Sequence, residues 1–161
     1  MCKVSVLMGS ISDMPVMEEA SKILKEFGVQ NETKILSAHR TPGPLRRYVQ
    51  NAEKNGVGVF IVGAGGAAHL AGAVAALSPR PVIGVPLSST SLNGLDALLS
   101  TVQMPKGVPV ATVAIGKAGA VNAALLAVQI FALSHPEFAH KYKTYKIKME
   151  KEVLSRNRMS S

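Results

Sequence analysis

The sequence predicts a doubly wound α/β fold: a three-layer αβα sandwich on a parallel five-stranded sheet, with a C-terminal helical extension, in one domain covering residues 1–161. Three observations carry this expectation. Short apolar runs alternate with longer stretches whose apolar residues recur at helical spacing. A glycine or proline stands at most of the changes from one pattern to the other. Strands and helices alternating at this interval connect right-handedly, which gives a parallel sheet with helices on both faces.

In chain order, the first apolar run is 4–8, ending at Gly9, and Val16, Met17, Ala20, Ile23, Leu24 and Phe27 then mark a helix face up to a stop at Gly28. Residues 33–36 read as the second strand, and Leu45, Tyr48, Val49 and Ala52 as the stripe of a helix opened by Thr41-Pro42, with Thr41 as its cap. Residues 57–62 are the third strand, followed by a Gly/Ala-rich loop and a helix near 67–77; residues 81–85 are the fourth. An irregular excursion over 87–107 contains a short helix near 95–102, and 108–115 reads as a fifth strand. Residues 118–133 are apolar on nearly every face, and after His135-Pro136 a basic helix over about 136–158 closes the chain. A helix without a polar face needs cover on all sides. The helices at 67–77 and 118–133 therefore predict contact with another subunit.

Composition narrows the partners. Hydrophobic residues make up 47% and aromatics only 4%, with no Trp, so the core must be built from small aliphatic side chains. The longest apolar stretches, 71–77 and 123–128, fall well short of the roughly 20 residues that span a bilayer, so no membrane association is expected. The N-terminal run stops at Gly9 without the long apolar region of a secretion signal, and Cys2 is the lone cysteine; both favour the cytoplasm. The net charge of +8 is concentrated in 141–158, which holds seven of the 18 Lys and Arg and two acids. Tyr142, Tyr145, Ile147, Met149, Val153 and Leu154 interleave with these cations, as on a solvated helix with one docked face, so nucleic-acid binding is not expected.

In a parallel sheet ligands bind at the carboxyl edge, where strand order reverses. Three strand-to-helix loops there are chemically rich. The first, Gly9-Ser10-Ile11-Ser12-Asp13, offers hydroxyls and the free N–H groups of a helix start to a phosphate. Asp13 would repel that phosphate; it suits sugar hydroxyls or a helix cap. The second puts Ser37, His39, Arg40 and Thr41 within five residues. Arg40 can pair with phosphate through its planar fork, and an imidazole such as His39 gives and takes protons near neutral pH, although a loop histidine can also simply bond a nearby carbonyl. The third, Gly63-Ala64-Gly65-Gly66-Ala67-Ala68-His69, has no bulky side chain before His69, so its backbone can line a pocket for something small and flat. His69 is either part of that site or a helix cap. No triphosphate-binding loop and no Cys/His spacing for a metal is present.

Read in order, Gly9-Ser10-x-Ser12-Asp13-x-x-x-Met17, Ser37-Ala38-His39-Arg40-Thr41-Pro42 and Gly63-Ala64-Gly65-Gly66-Ala67-Ala68-His69-Leu70 closely resemble the class I N5-carboxyaminoimidazole ribonucleotide mutases, the PurE family. The resemblance continues through Leu92-Asn93-Gly94-Leu95-Asp96 and Val102-Gln103-Met104-Pro105 and covers nearly the whole chain. It implies a flavodoxin-like fold, a homo-octamer, and a reaction of purine biosynthesis. In that reaction a carboxylate moves from the exocyclic nitrogen of an aminoimidazole ribonucleotide to ring carbon C4, with no cofactor. It further implies that His39 shuttles protons, that Ser10, Ser12, Ser37 and Arg40 surround the phosphate, and that Asp13 meets the ribose. The backbone of Gly65, Gly66 and Ala67 would hold the base and CO2, with Ala38, His69 and Leu70 in the same substrate-binding set. Met17 and Arg40-Thr41 resemble class I rather than the animal-type carboxylase; Ala71 stands where the family commonly has proline. A direct AIR carboxylase and a noncatalytic nucleotide- or flavin-binding module are the rival readings.

Overall fold

A computed structural model describes residues 2–157. Its elements are β1 (Lys3–Met8), a single 3-10 turn (Ile11–Asp13), α1 (Met14–Phe27), β2 (Gln30–Ile35), α2 (Pro42–Lys54), β3 (Val57–Gly65), α3 (His69–Leu77), β4 (Val82–Leu87), α4 (Leu95–Val102), β5 (Ala111–Thr112), α5 (Gly116–Ala132) and α6 (Pro136–Asn157). The sheet order is β2-β1-β3-β4-β5, with every pair parallel. This is the expected flavodoxin-like, doubly wound arrangement, and its strand order reverses between β1 and β3. The last residue of the range expected for the C-terminal helix, 158, lies outside the described residues.

Side chains alternate across the strands and divide the core between the two faces. Val4, Val6, Met8, Val59 and Ile61 pack with α1 and α5; Leu7, Phe60 and Val62 pack with α2 and α3. The central strands are buried on both sides and read as continuous apolar runs, as strands of parallel sheets do. The edge strands explain where the sequence reading misses. β2 begins at Gln30 rather than 33, because its polar opening, Gln30-Asn31-Glu32, belongs to a strand left partly open to solvent. β5 keeps only Ala111 and Thr112 of the expected 108–115, pairing with Ile83 and Gly84. Pro109, just ahead of it, has no N–H to give a ladder.

The apolar helix α5 finds much of its cover within the chain. It lies on the sheet with α1 and α6 against it, burying Ala120, Ala123, Ala124, Ala127, Val128 and Phe131. Its composition therefore does not by itself require cover from another subunit. α6 has two different halves. Phe138 is buried, Tyr142 and Tyr145 stand 6.4 and 5.6 Å from the Phe27 ring, and Lys141 Nζ donates to the Phe27 carbonyl at 2.7 Å. Beyond Tyr145 the apolar residues Ile147, Met149, Val153 and Leu154 are exposed, so the docked face expected for the whole helix exists only in its first half. With Leu133 they line an open groove of about 990 Å³ between α5 and α6.

A polar network ties the β2 edge to α2. Tyr48 Oη donates to Glu32 Oε1 at 2.8 Å and lies 2.7 Å from Oγ of Ser5, which is fully buried; Lys3 Nζ meets Glu32 at 3.2 Å. Burial works against ionisation of Glu32, but the bonds from Tyr48 and Lys3 outweigh it and hold its carboxyl below the ordinary range. A lowered folded value means the contribution of Glu32 to stability is complete above the ordinary carboxylate range and is lost as pH falls through the folded value. Replacing Tyr48 by Phe leaves the Ser5 hydroxyl unpaired and is expected to cost about 1–3 kcal/mol at neutral pH. In denaturant titrations the gap between wild type and Tyr48→Phe should narrow at acid pH, as Glu32 protonates in both. A gap of equal size at both pH values would show that Tyr48 does not support the carboxylate.

Candidate active site

The three loops expected to carry chemistry meet at the carboxyl edge because β1 lies between β2 and β3. After β1, Ser10 begins the 3-10 turn: its Oγ accepts from the Ser12 N–H at 3.3 Å and from the Ser12 hydroxyl at 2.8 Å, while Asp13 Oδ2 accepts from the Ser10 N–H at 3.1 Å. This reciprocal capping box assigns one oxygen of Asp13 to the backbone. Asp13 is buried, and that burial pushes its carboxyl above the ordinary range despite the hydrogen bonds around it and the nearby Arg40 charge.

The second loop is closed from within. Thr41 Oγ1 accepts from the Ser37 N–H at 2.9 Å and donates to the Ser37 carbonyl at 3.0 Å; Ser37 Oγ accepts from the Arg40 N–H at 3.1 Å. The side chain of Thr41, expected to cap α2, makes no capping bond and instead locks the loop. Arg40 Nη2 donates to the Gly9 carbonyl at 2.7 Å and so joins the second loop to the first. This spends one arm of the guanidinium and leaves its remaining donors available to an anion.

The third loop depends on its lack of side chains. A methyl at Gly63 would overlap the Sδ of buried Met17, and one at Gly65 would overlap the Ser89 hydroxyl. Gly66 and Ala68 both adopt positive φ, at 59° and 47°, and the Ala68 N–H bonds the Gly65 carbonyl at 3.0 Å. This turn delays α3 to His69, where the sequence suggested a start near 67. His69 does not act as the cap. Its Nδ1 lies 2.6 Å from Nε2 of His39, with the ring centroids 4.7 Å apart and the planes near perpendicular at 85°. The alternative of a His39 tied to a backbone carbonyl does not hold.

Between the loops is a cavity of about 340 Å³. Ser10, Ser12, Asp13, Ser37, Ala38, His39, Arg40, Gly65, Ala67, His69 and Leu70 all line it, which is the predicted set except for Gly66. Gly66 forms the turn behind the wall, where its positive φ favours glycine. The sequence reading missed Ser89, which also lines the cavity from the loop after β4. The rule that placed the other loops could have found it, since Ser89 follows a strand at the same sheet edge. Hydroxyls, a helix start and Arg40 offer the cavity donors of the kind that suit an anion, and two imidazoles and a wall of glycine and alanine make up the rest of its lining. Among the described residues no three His, Cys, Asp or Glu side chains gather to hold a metal ion, and no helix is long and apolar enough to cross a membrane.

The chain matches the model of a family described as AIR carboxylase over residues 3–152. It is 54% identical to an N5-carboxyaminoimidazole ribonucleotide mutase of Thermotoga maritima, covering 97% of this chain and 90% of that protein. It is 57% identical to a protein of the same name from Saccharolobus solfataricus, covering 96% and 97% respectively. The crystal structure of Treponema denticola PurE superposes with a TM-score of 0.88 at 32% identity, over 97% of this chain and 96% of that one.

Arg40 gives the anion-binding reading its test. Arg40→Ala should weaken binding of ribose 5-phosphate by about 10- to 100-fold, the loss of one charge-assisted pairing, as read by titration calorimetry. An unchanged affinity in a folded variant would place the phosphate elsewhere.

Proposed function

The chain belongs to the AIR carboxylase family, and from that premise we propose that it is an isomerase converting N5-carboxyaminoimidazole ribonucleotide to 4-carboxy-5-aminoimidazole ribonucleotide in de novo purine biosynthesis. The observation that carries this reading is the cavity itself, which brings the hydroxyls of Ser10, Ser12 and Ser37 and the guanidinium of Arg40 together with His39, His69 and a side-chain-poor wall. The carboxylate of the substrate moves from nitrogen to carbon, and one proton moves the other way. The C–N bond of the carbamate breaks as the nitrogen takes a proton from His39, releasing CO2 against the wall formed by Gly65 and Ala67. C4 of the electron-rich aminoimidazole then attacks the CO2 carbon, and His39 removes the proton from C4, which restores both the aromatic ring and the starting enzyme. The carbamate supplies its own CO2 and neither bond change is a redox step, so the scheme uses no cofactor.

Ser10, Ser12, Ser37 and Arg40 hold the phosphate in this scheme, and the oxygen of Asp13 not committed to the Ser10 N–H accepts from the ribose. Ala38, Leu70 and the backbone of Gly65 to Ala67 confine the base, with Gly66 contributing through the turn it makes. His69 lies beside His39.

The protein acts as a homo-octamer in this reading. Two exposed apolar surfaces support it: the α5–α6 groove with Leu133, Val153 and Leu154, and a stripe of Leu95, Leu99 and Val102 along α4 with Leu92 in the turn ahead of it. The distal half of α6 packs on a neighbouring subunit of the single 1–161 mutase domain. Cys2, with no second cysteine to pair with, suits the reducing cytoplasm. Sedimentation of the protein should give the mass of eight 16.9 kDa chains, and Leu154→Glu should lower it. A monomer at micromolar concentration would refute the assembly.

The family's description names a carboxylase, so the substrate is tested directly. Supplied separately with the carbamate ribonucleotide, or with aminoimidazole ribonucleotide and bicarbonate, the enzyme should form the C4 carboxylate far faster from the carbamate. The opposite preference would make it a direct carboxylase. His39→Asn should lose roughly 10²-fold or more of turnover, and a fully active variant would remove His39 from the chemistry.

A further inference from the structure

We infer that His69 is a positioning residue for His39: its Nδ1 accepts a hydrogen bond from His39 Nε2–H, fixing the tautomer of His39 so that Nδ1 of His39 is the atom that exchanges the proton with substrate. This rests on the proposed reaction and deepens it. The two ring nitrogens face each other at 2.6 Å, a distance that requires a hydrogen between them, so one ring donates and the other accepts. His39 comes from the loop after β2 and His69 from the first residue of α3, so the bond connects a loop to a helix that is anchored in the core by Leu70, Ala71 and Val74.

The direction of donation follows from what His39 has to do. To take a proton from C4, a neutral His39 needs one bare nitrogen facing the substrate and its hydrogen on the other. A donor bond from Nε2 to His69 provides that arrangement. Among the described residues Nδ1 of His39 has no protein partner. Once Nδ1 is protonated, both nitrogens of His39 carry hydrogens, and His69, neutral and accepting, supports the imidazolium through the bond already in place. In the reverse direction, with His69 donating, Nδ1 of the neutral His39 would carry the hydrogen and could not act as the base. The charged groups lining the same cavity are Asp13 and Arg40, and both are held by loop contacts of their own, at Ser10 N–H and the Gly9 carbonyl. Neither is hydrogen-bonded to either imidazole.

The test uses the place of each nitrogen in the side chain. The amide of asparagine occupies the position of Nδ1 of histidine, whereas that of glutamine reaches the position of Nε2. His69→Asn should keep an acceptor for His39 and retain kcat within about 3-fold, while His69→Leu and His69→Gln should lose roughly 10-fold or more in kcat with KM little changed. Equal losses in all three variants, or a loss confined to KM, would overturn the inference in favour of a direct contact between His69 and substrate. A second readout does not depend on activity. In the nitrogen-15 spectrum of the histidine-labelled wild-type protein, with His39→Asn used for assignment, neutral His39 should be the Nε2–H tautomer. Finding it as Nδ1–H would contradict the assignment even in an active enzyme. An inactive wild type with the Nε2–H tautomer would count against the proposed reaction and leave the positioning bond standing.

Discussion

The site depends on one topological constraint: β1 lies in the middle of a parallel sheet, with β2 on one side and β3 on the other. The helix after β1 then lies on one face of the sheet and those after β2 and β3 on the other, and the three loops part around a crevice at the carboxyl edge. Two bonds hold this crevice to a fixed width. Arg40 ties the second loop to the Gly9 carbonyl of the first, and His39 ties it to His69 of the third. The second loop, locked internally by Thr41 and Ser37, is therefore the rigid piece against which the other two are positioned.

Small residues make that geometry possible. Buried Met17 fits beneath β3 only because residue 63 has no side chain, and Ser89 reaches the cavity wall only because residue 65 has none. Met17 is thus buried in the core under β3 and does not line the cavity itself. Ala71, which stands in place of a common proline, is buried in the first turn of α3. The entry of the chain into that helix is set one residue earlier than His69, by the left-handed backbone of Ala68. A narrow, side-chain-poor wall of this kind suits a flat base and a small linear molecule better than a bulky ligand with its own stacking needs.

Much of this was legible in the sequence, for identifiable reasons. The buried central strands and the amphipathic faces of α1 and α2 announce themselves by periodicity, and the loops between them stand out because Ser, His and Arg cluster where an ordinary turn would be simple. The edges were not legible: β2 hides its polar start and β5 shrinks to two residues, since a strand that is half solvated or barely paired has little apolar pattern to show. Ser89 was missed because the irregular segment after β4 was not read as a further loop of the carboxyl edge. The contact between His39 and His69, 30 residues apart in sequence, exists only after the sheet is assembled. Thr41 was read as the cap of α2, but the choice between capping a helix and closing a loop is made by backbone geometry that composition does not encode.

The account stands most directly on the fate of the migrating carboxylate. A substrate whose carbamate carbon is carbon-13 can be converted in the presence of a large excess of unlabelled bicarbonate, and the C4 carboxylate of the product examined by mass spectrometry in the first turnovers. A cavity that confines CO2 between His39 and the Gly65–Ala67 wall predicts that the label is retained. Product carrying unlabelled carboxylate would mean that CO2 escapes or is drawn from solution, and the confined transfer would be wrong.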